Sequence, residues 1–126
     1  MDESWDLIFS YTRKQAIDDG VLIDVTDHAA EAGFAVPVAV TANLFHSYVT
    51  PPPGLEGEGQ SVAGRLHDLL TLARVCAVLH GEQDRIRFEV LFLMAPGWRR
   101  RVEVVAVIGP GDCGEPVLTI MLPGDE

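Results

Sequence analysis

Apolar residues recur at the helical period along one long stretch of this chain and at a period of two along the stretches after it. Val62, Leu66, Leu69, Leu70, Ala73, Cys76 and Ala77 follow the i, i+3, i+4, i+7 rule, which predicts a helix over Ser61 to His80, stopped by Gly81. Leu72, Val75, Val78 and Leu79 widen the stripe in the second half, so that end is expected to be buried on two sides. Ile86, Phe88, Val90, Phe92 and Met94 alternate with Arg85, Arg87, Glu89, Leu91 and Leu93, the signature of a strand. Ala95 to Trp98 reads as a turn. Arg99 to Ile108 reads as a second strand, charged at its start and apolar from Val104, and therefore covered on both faces at its far end. A Gly- and Pro-rich turn, Gly109 to Pro116, leads to a third strand, Val117 to Leu122. Three strands with short connections predict a C-terminal antiparallel meander packed against a long central helix, an α+β single domain.

The first half reads as shorter pieces. Leu7 to Phe9 is a candidate strand, and Thr12 with Gln15 has capping-box spacing before a two-turn helix, Arg13 to Asp19, ended by Gly20. Val21 to Val25 is a short strand with Asp24 on a polar face, and Thr26 or Asp27 is placed to cap a second short helix stopped by Gly33. Phe34 to Val40 is apolar but contains Pro37. If extended, it belongs at a sheet edge or begins with the proline, and a central strand is not expected there. Thr41 is placed to cap a helix over Ala42 to Val49, which Pro51, Pro52 and Pro53 then forbid from continuing. Pro51 to Gln60 has the composition of a flexible surface loop within the one domain, 1–126.

Charge changes the picture more than composition does. The chain has 126 residues, 48% of them hydrophobic, enough for one self-supporting core. Its formal charge is -10, and residues 1–60 hold ten acids against two bases while residues 61–126 hold nine against seven. The front half therefore carries the negative field. That balance argues against general binding to nucleic-acid phosphate or to an anionic membrane surface. The longest apolar runs fall far short of the ~20 residues that span a bilayer, and the acidic start lacks a basic leader segment. Two cysteines, Cys76 and Cys113, fit reduced thiols in a cytoplasmic protein.

Candidate chemistry is sparse. His28, His46, His67 and His80 show no zinc-ligand spacing, so no metal and no cofactor is expected. Cys113 lies between Asp112 and Glu115, and two flanking carboxylates oppose thiolate formation. The glycines at 109, 111 and 114 precede a strand and carry acids where a bound phosphate would sit. Two binding sets remain. Trp98 with Arg99, Arg100 and Arg101 offers a surface for a base or an acidic partner, against the simpler reading of a charged strand edge that resists aggregation. Tyr11, Arg13, Asp24 and Thr26 would join Asp112 and Glu115 in a ligand site if the two ends of the chain meet.

Three stretches, YTRKQAIDDGVLIDVT from Tyr11, AGFAVPVAVT from Ala32 and GPGDCGEPVLTIMLPGDE from Gly109, resemble a family of small uncharacterised bacterial proteins commonly encoded on plasmids and other mobile elements. The resemblance covers nearly the whole chain, firm at both ends and weak across Pro51 to Gln60. It implies a cytoplasmic accessory role and supplies no catalytic residue. The expected function is a noncatalytic acidic protein-interaction module, with a mimic of nucleic-acid charge acting on a defence or replication protein as one version. A small enzyme or ligand binder is the alternative. A protein partner is expected, nucleic acid and membranes are not, and homo-oligomerisation is left open.

Overall fold

In the computed structural model, residues 11–126 are described. The candidate strand at Leu7 to Phe9 lies outside them. The order is α1 (Arg13–Asp18), β1 (Leu22–Asp24), α2 (Thr26–Glu31), β2 (Val38–Thr41), α3 (Ala42–Leu44, continuing as a π-helical turn Phe45–Val49), α4 (Val62–Leu79), β3 (Arg85–Ala95), β4 (Trp98–Pro110), β5 (Pro116–Met121) and a final 3₁₀ turn, Pro123–Asp125. No helix among the described residues is long and apolar enough to cross a membrane.

All five strands form one mixed sheet in the order β1-β2-β5-β4-β3. The C-terminal strands pair antiparallel in succession, but β2 adds to β5 in parallel and β1 to β2 in antiparallel. The sheet therefore has five strands, where the sequence pattern predicts a three-stranded meander with one or two short N-terminal strands apart from it. β2 is also internal and buried along its whole length, against the expectation that Phe34 to Val40 avoids the sheet interior. Pro37 explains how. It sits one residue ahead of the strand, where its missing N–H breaks no ladder bond, and its carbonyl still accepts from Leu118 N at 2.9 Å.

Alternation divides the sheet into two faces. Val38, Val40, Phe88, Val90, Phe92, Val102, Val104, Ala106, Leu118 and Ile120 share one core with Val25 and Ala29, Leu44 and Val49, and Leu66, Leu69, Leu70 and Ala73. Thus α2, α3 and α4 layer on that face. Ala39, Val105 and Val117 are buried on the opposite face, which α1 reaches through Arg13. Leu55 is buried and anchors the Pro/Gly-rich segment between α3 and α4.

Local signals account for most element ends. Thr12 and Gln15 form the capping box, with Thr12 Oγ1 accepting from Gln15 N at 3.0 Å and Gln15 Oε1 from Thr12 N at 2.9 Å. Thr41 caps α3 by accepting from Leu44 N. The start of α2 departs from expectation: neither Thr26 nor Asp27 is the cap, because Thr26 is already helical and its amide donates to Asp24 Oδ1. Gly33 ends α2 at φ +102°, where a side chain would also run into Arg74. The Pro96-Gly97 turn between β3 and β4 requires Gly97 at φ +72°.

The second half of α4 is the largest departure. Leu72 and Val75 are 39% and 48% exposed, and Val78 and Leu79 are 70% and 71% exposed. Within the single chain this helix buries one side only, the side of Leu66, Leu69, Leu70 and Ala73.

Candidate functional site

The helix α1 meets the last hairpin. A groove of about 440 Å³ is lined by Arg13, Lys14 and Ile17 of α1, Asp24, Thr26 and Asp27 around the start of α2, Pro37, and Asp112, Glu115 and Val117 at the last hairpin. Five of the six residues proposed as a ligand site, Arg13, Asp24, Thr26, Asp112 and Glu115, lie in it. Tyr11 does not line it. Its hydroxyl donates to Asp19 Oδ2 at 2.6 Å on the surface, and that hydrogen bond, with a little burial and the Asp19 charge, raises the phenol above its ordinary range.

Each convergent group has an internal partner. The Asp112 carboxylate accepts from Arg13 N at 2.8 Å and Lys14 N at 3.0 Å, satisfying the first two free amides of α1 from 98 residues away or more. Those two hydrogen bonds are also the main reason that its carboxyl lies below the usual carboxylate range, with the Arg13 charge adding to them. Arg13 turns its guanidinium into the sheet, where Nη1 donates to Thr119 Oγ1 at 2.7 Å and Nη2 to Leu118 O at 2.9 Å. Burial pushes Arg13 down from its ordinary value, opposed by the charges of Asp24, Asp112 and Glu115, and a guanidinium there stays cationic at neutral pH.

Asp24 and Thr26 hold each other, with Thr26 Oγ1 donating to Asp24 Oδ1 at 2.5 Å. Thr26 Oγ1 also accepts from Val38 N at 3.2 Å. Glu115 accepts from Cys113 N at 3.0 Å and stiffens its own turn, whose backbone closes through Gly111 N to Glu115 O at 2.6 Å. The cluster is a clip. It ties the first helix to the last hairpin and presents its remaining carboxylate surface outward.

The Trp98 and arginine set does not form one patch. Arg99, Arg100 and Arg101 pair across the hairpin with Leu93, Phe92 and Leu91, so alternation sends Arg100 to one face and its two neighbours to the other. Arg100 lies over the Tyr48 ring at 5.7 Å, and Arg101 pairs with Glu89 at 3.0 Å. Trp98 is 54% exposed. Arg85 and Arg87 face Val107 and Val105 and contribute nothing to that set.

Two structural residues escaped the sequence reading. Arg65 is 4% exposed, and its guanidinium donates to Tyr48 O at 2.9 Å, Leu93 O at 2.7 Å and Gln60 Oε1 at 2.9 Å, with the Phe92 ring centroid 5.1 Å away. Burial alone pushes it below its ordinary value, and it makes no ion pair among the described residues. Its sequence signal was its phase: Arg65 stands four residues before Leu69 and eight before Ala73, inside the apolar stripe. Asp125 accepts from Thr41 Oγ1 and Asn43 Nδ2, each at 2.7 Å, and from Leu122 N at 3.0 Å. Burial raises its carboxyl, but the three hydrogen bonds together bring it below the usual range.

Among the described residues, no three His, Cys, Asp or Glu side chains gather as metal ligands. Cys76 and Cys113 are both free thiols. No curated protein and no solved structure matches the chain. The profile of a family of unknown function, DUF6573, matches residues 1–126, and the chain belongs to that family.

Proposed function

We propose that this chain is a noncatalytic acidic module that binds another protein in the cytoplasm as an accessory of a plasmid or other mobile element. The observation that supports it most is the disposition of charge around the clip. Asp24, Asp27, Asp112 and Glu115 line the groove, and Asp18, Asp19 and Glu31 are exposed on the two short helices. Two bases, Arg13 and Lys14, stand against these seven carboxylates, so the surface keeps a negative balance. A surface of this kind steers encounter with a basic groove, such as the nucleic-acid channel of a defence or replication protein. Affinity purification from the native cell at low and at high salt tests the proposal. A protein that copurifies at low salt and is lost from an Asp27→Lys, Glu31→Lys variant is the expected result; no salt-sensitive partner would reject the reading.

A second reading, a small-ligand binder, is favoured by the groove's size, which falls within the 300–1,000 Å³ range of ligand sites. Against it stands the engagement of Asp112, Arg13, Asp24 and Thr26 in the fold's own hydrogen bonds. A thermal-shift screen over nucleotides, sugars and divalent cations separates the two, because a specific ligand raises Tm by mass action.

A further inference from the structure

Among the described residues the outer edge of β3 is the longest unpaired backbone edge of the sheet, and its free portion has definite limits. Ile108 N donates to Asp84 O at 2.8 Å, so the even-numbered residues of β3 direct their backbone groups at β4. The odd-numbered ones, Arg85, Arg87, Glu89 and Leu91, direct theirs outward. Leu93 is the next in that series, and its carbonyl is taken by Arg65 Nη1 at 2.7 Å, just before the register shift between Leu93 and Ala95. The open edge therefore runs from Arg85 to Leu91. An exposed edge of this length templates strand addition unless something covers it.

Beside that edge runs a groove of about 490 Å³ between β3 and α4, lined by His67, Asp68, Thr71 and Leu72 on the helix and Glu89 to Leu91 on the strand. One and two turns further along α4, Val75 and Leu79 continue the Leu72 stripe and are exposed. A helix apolar on both sides is normally covered on both, and the described residues cover only one.

We infer that the cover is a second copy of this chain, joined edge to edge through antiparallel β3 pairing. Full overlap of the open segment with itself fixes the register: the two-fold axis passes at Phe88, so Arg85 lies opposite Leu91 of the other copy and Arg87 opposite its Glu89. The same register that pairs every free backbone group also brings Arg87 and Glu89 of opposite charge together twice across the axis, beside the Arg87–Glu103 and Arg101–Glu89 pairs that each copy makes with itself at 3.0 Å. Centring one residue earlier or later sets Arg87 against Arg87 or Glu89 against Glu89. The two sheets join into one of ten strands, and the Leu72, Val75 and Leu79 stripes of the two α4 helices face each other across the groove. This interface lies on the β3 side of the sheet, at the opposite end of the strand order from β1, and goes beyond the partner-binding reading above.

The test is the mass of the full chain in solution by analytical ultracentrifugation across a concentration series. A species of twice 13.7 kDa is expected. Arg87→Glu and Glu89→Arg, made singly, each place like charges at both cross-axis positions and should weaken dimerisation at least about tenfold. The double variant R87E/E89R restores opposite charges in this register alone and should recover the dimer. Val75→Glu, at a position exposed in the single chain, should weaken dimerisation without lowering the melting temperature of the monomer. A monomer throughout the series, a dimer indifferent to the single reversals, or a double variant as weak as the singles with its circular dichroism unchanged would each overturn the inference. So would dimer formation that needs another protein on the β3 edge.

Discussion

Replacing Arg65 by Met tests whether a buried cation with no anionic partner among the described residues stabilises this fold through its hydrogen bonds. The guanidinium joins three segments: the end of α3 at Tyr48 O, the loop before α4 at Gln60, and β3 at Leu93 O. Removing it leaves two part-buried backbone carbonyls without that donor, and each unsatisfied buried acceptor costs about 1–3 kcal/mol. Gln60 is only half-buried and can turn to solvent, so its loss adds little. Met also relieves the desolvation of an unpaired charge, several kcal/mol in effect, which offsets part of the loss. The net expectation is a destabilisation of ~2–4 kcal/mol in urea titrations at neutral pH, from a total of about 5–15 kcal/mol for a domain of this size. Arg65→Ala adds a cavity against Phe92 and should cost ~1–2 kcal/mol more. Arg65→Lys is the discriminating variant: it keeps the charge, but one ammonium cannot span carbonyls on three segments as the planar fork does. It should be about as unstable as the Met variant. A Met variant within ~0.5 kcal/mol of the parent, or full rescue by Lys, would refute the reasoning.

Other outcomes follow from the same geometry. Asp112 and Asp125 hold their carboxyls below the ordinary 3.8, so the unfolded chain takes up protons first as pH falls. Their contribution is complete above about pH 4 and is lost as pH drops through the folded-state values. Asp112→Asn should flatten the fall in urea midpoint between pH 7 and about pH 3; slopes identical to the parent would remove Asp112 as a source. Leu69→Ala and Ile120→Ala, both fully buried on opposing layers, should each cost ~2–5 kcal/mol in chemical denaturation, with m-values unchanged. Gly33→Ala forces a side chain into φ +102° against Arg74 and should destabilise by about 1–2 kcal/mol, partly recovered by adding Arg74→Ala. In the native protein a thiol reagent should label exposed Cys113 well before the half-buried Cys76.

Local chemistry was legible where one segment answers to itself. The capping box at Thr12 and Gln15, the Thr41 cap and the stop at Gly33 depend on neighbours within a few residues. The apolar periods likewise marked α4, β3 and β4 to within two residues at most ends. The candidate site was legible as a conditional: residue types at 13, 24, 26, 112 and 115 suggested a cluster, but only the folded chain brings them within one groove. Their internal hydrogen bonds then recast a ligand set as a clip.

The amino-acid sequence by itself determined which residues are helical or extended and which side of each is apolar, because period and capping are read over distances of one or two turns. Tertiary structure decided the rest. It inserted β2 beside β5 in parallel, a pairing some 80 residues apart that no local pattern encodes, and it did so with Pro37 just outside the ladder. It sent Asp112 to cap a helix nearly 100 residues earlier and Arg65 into three carbonyls. Among the described residues it also left the second side of α4 uncovered, although the sequence alone marks that side for burial. The physical reason is common to all four: hydrogen-bond partners and buried surface are shared between segments distant in the chain, so their assignment waits on which segments the fold makes neighbours.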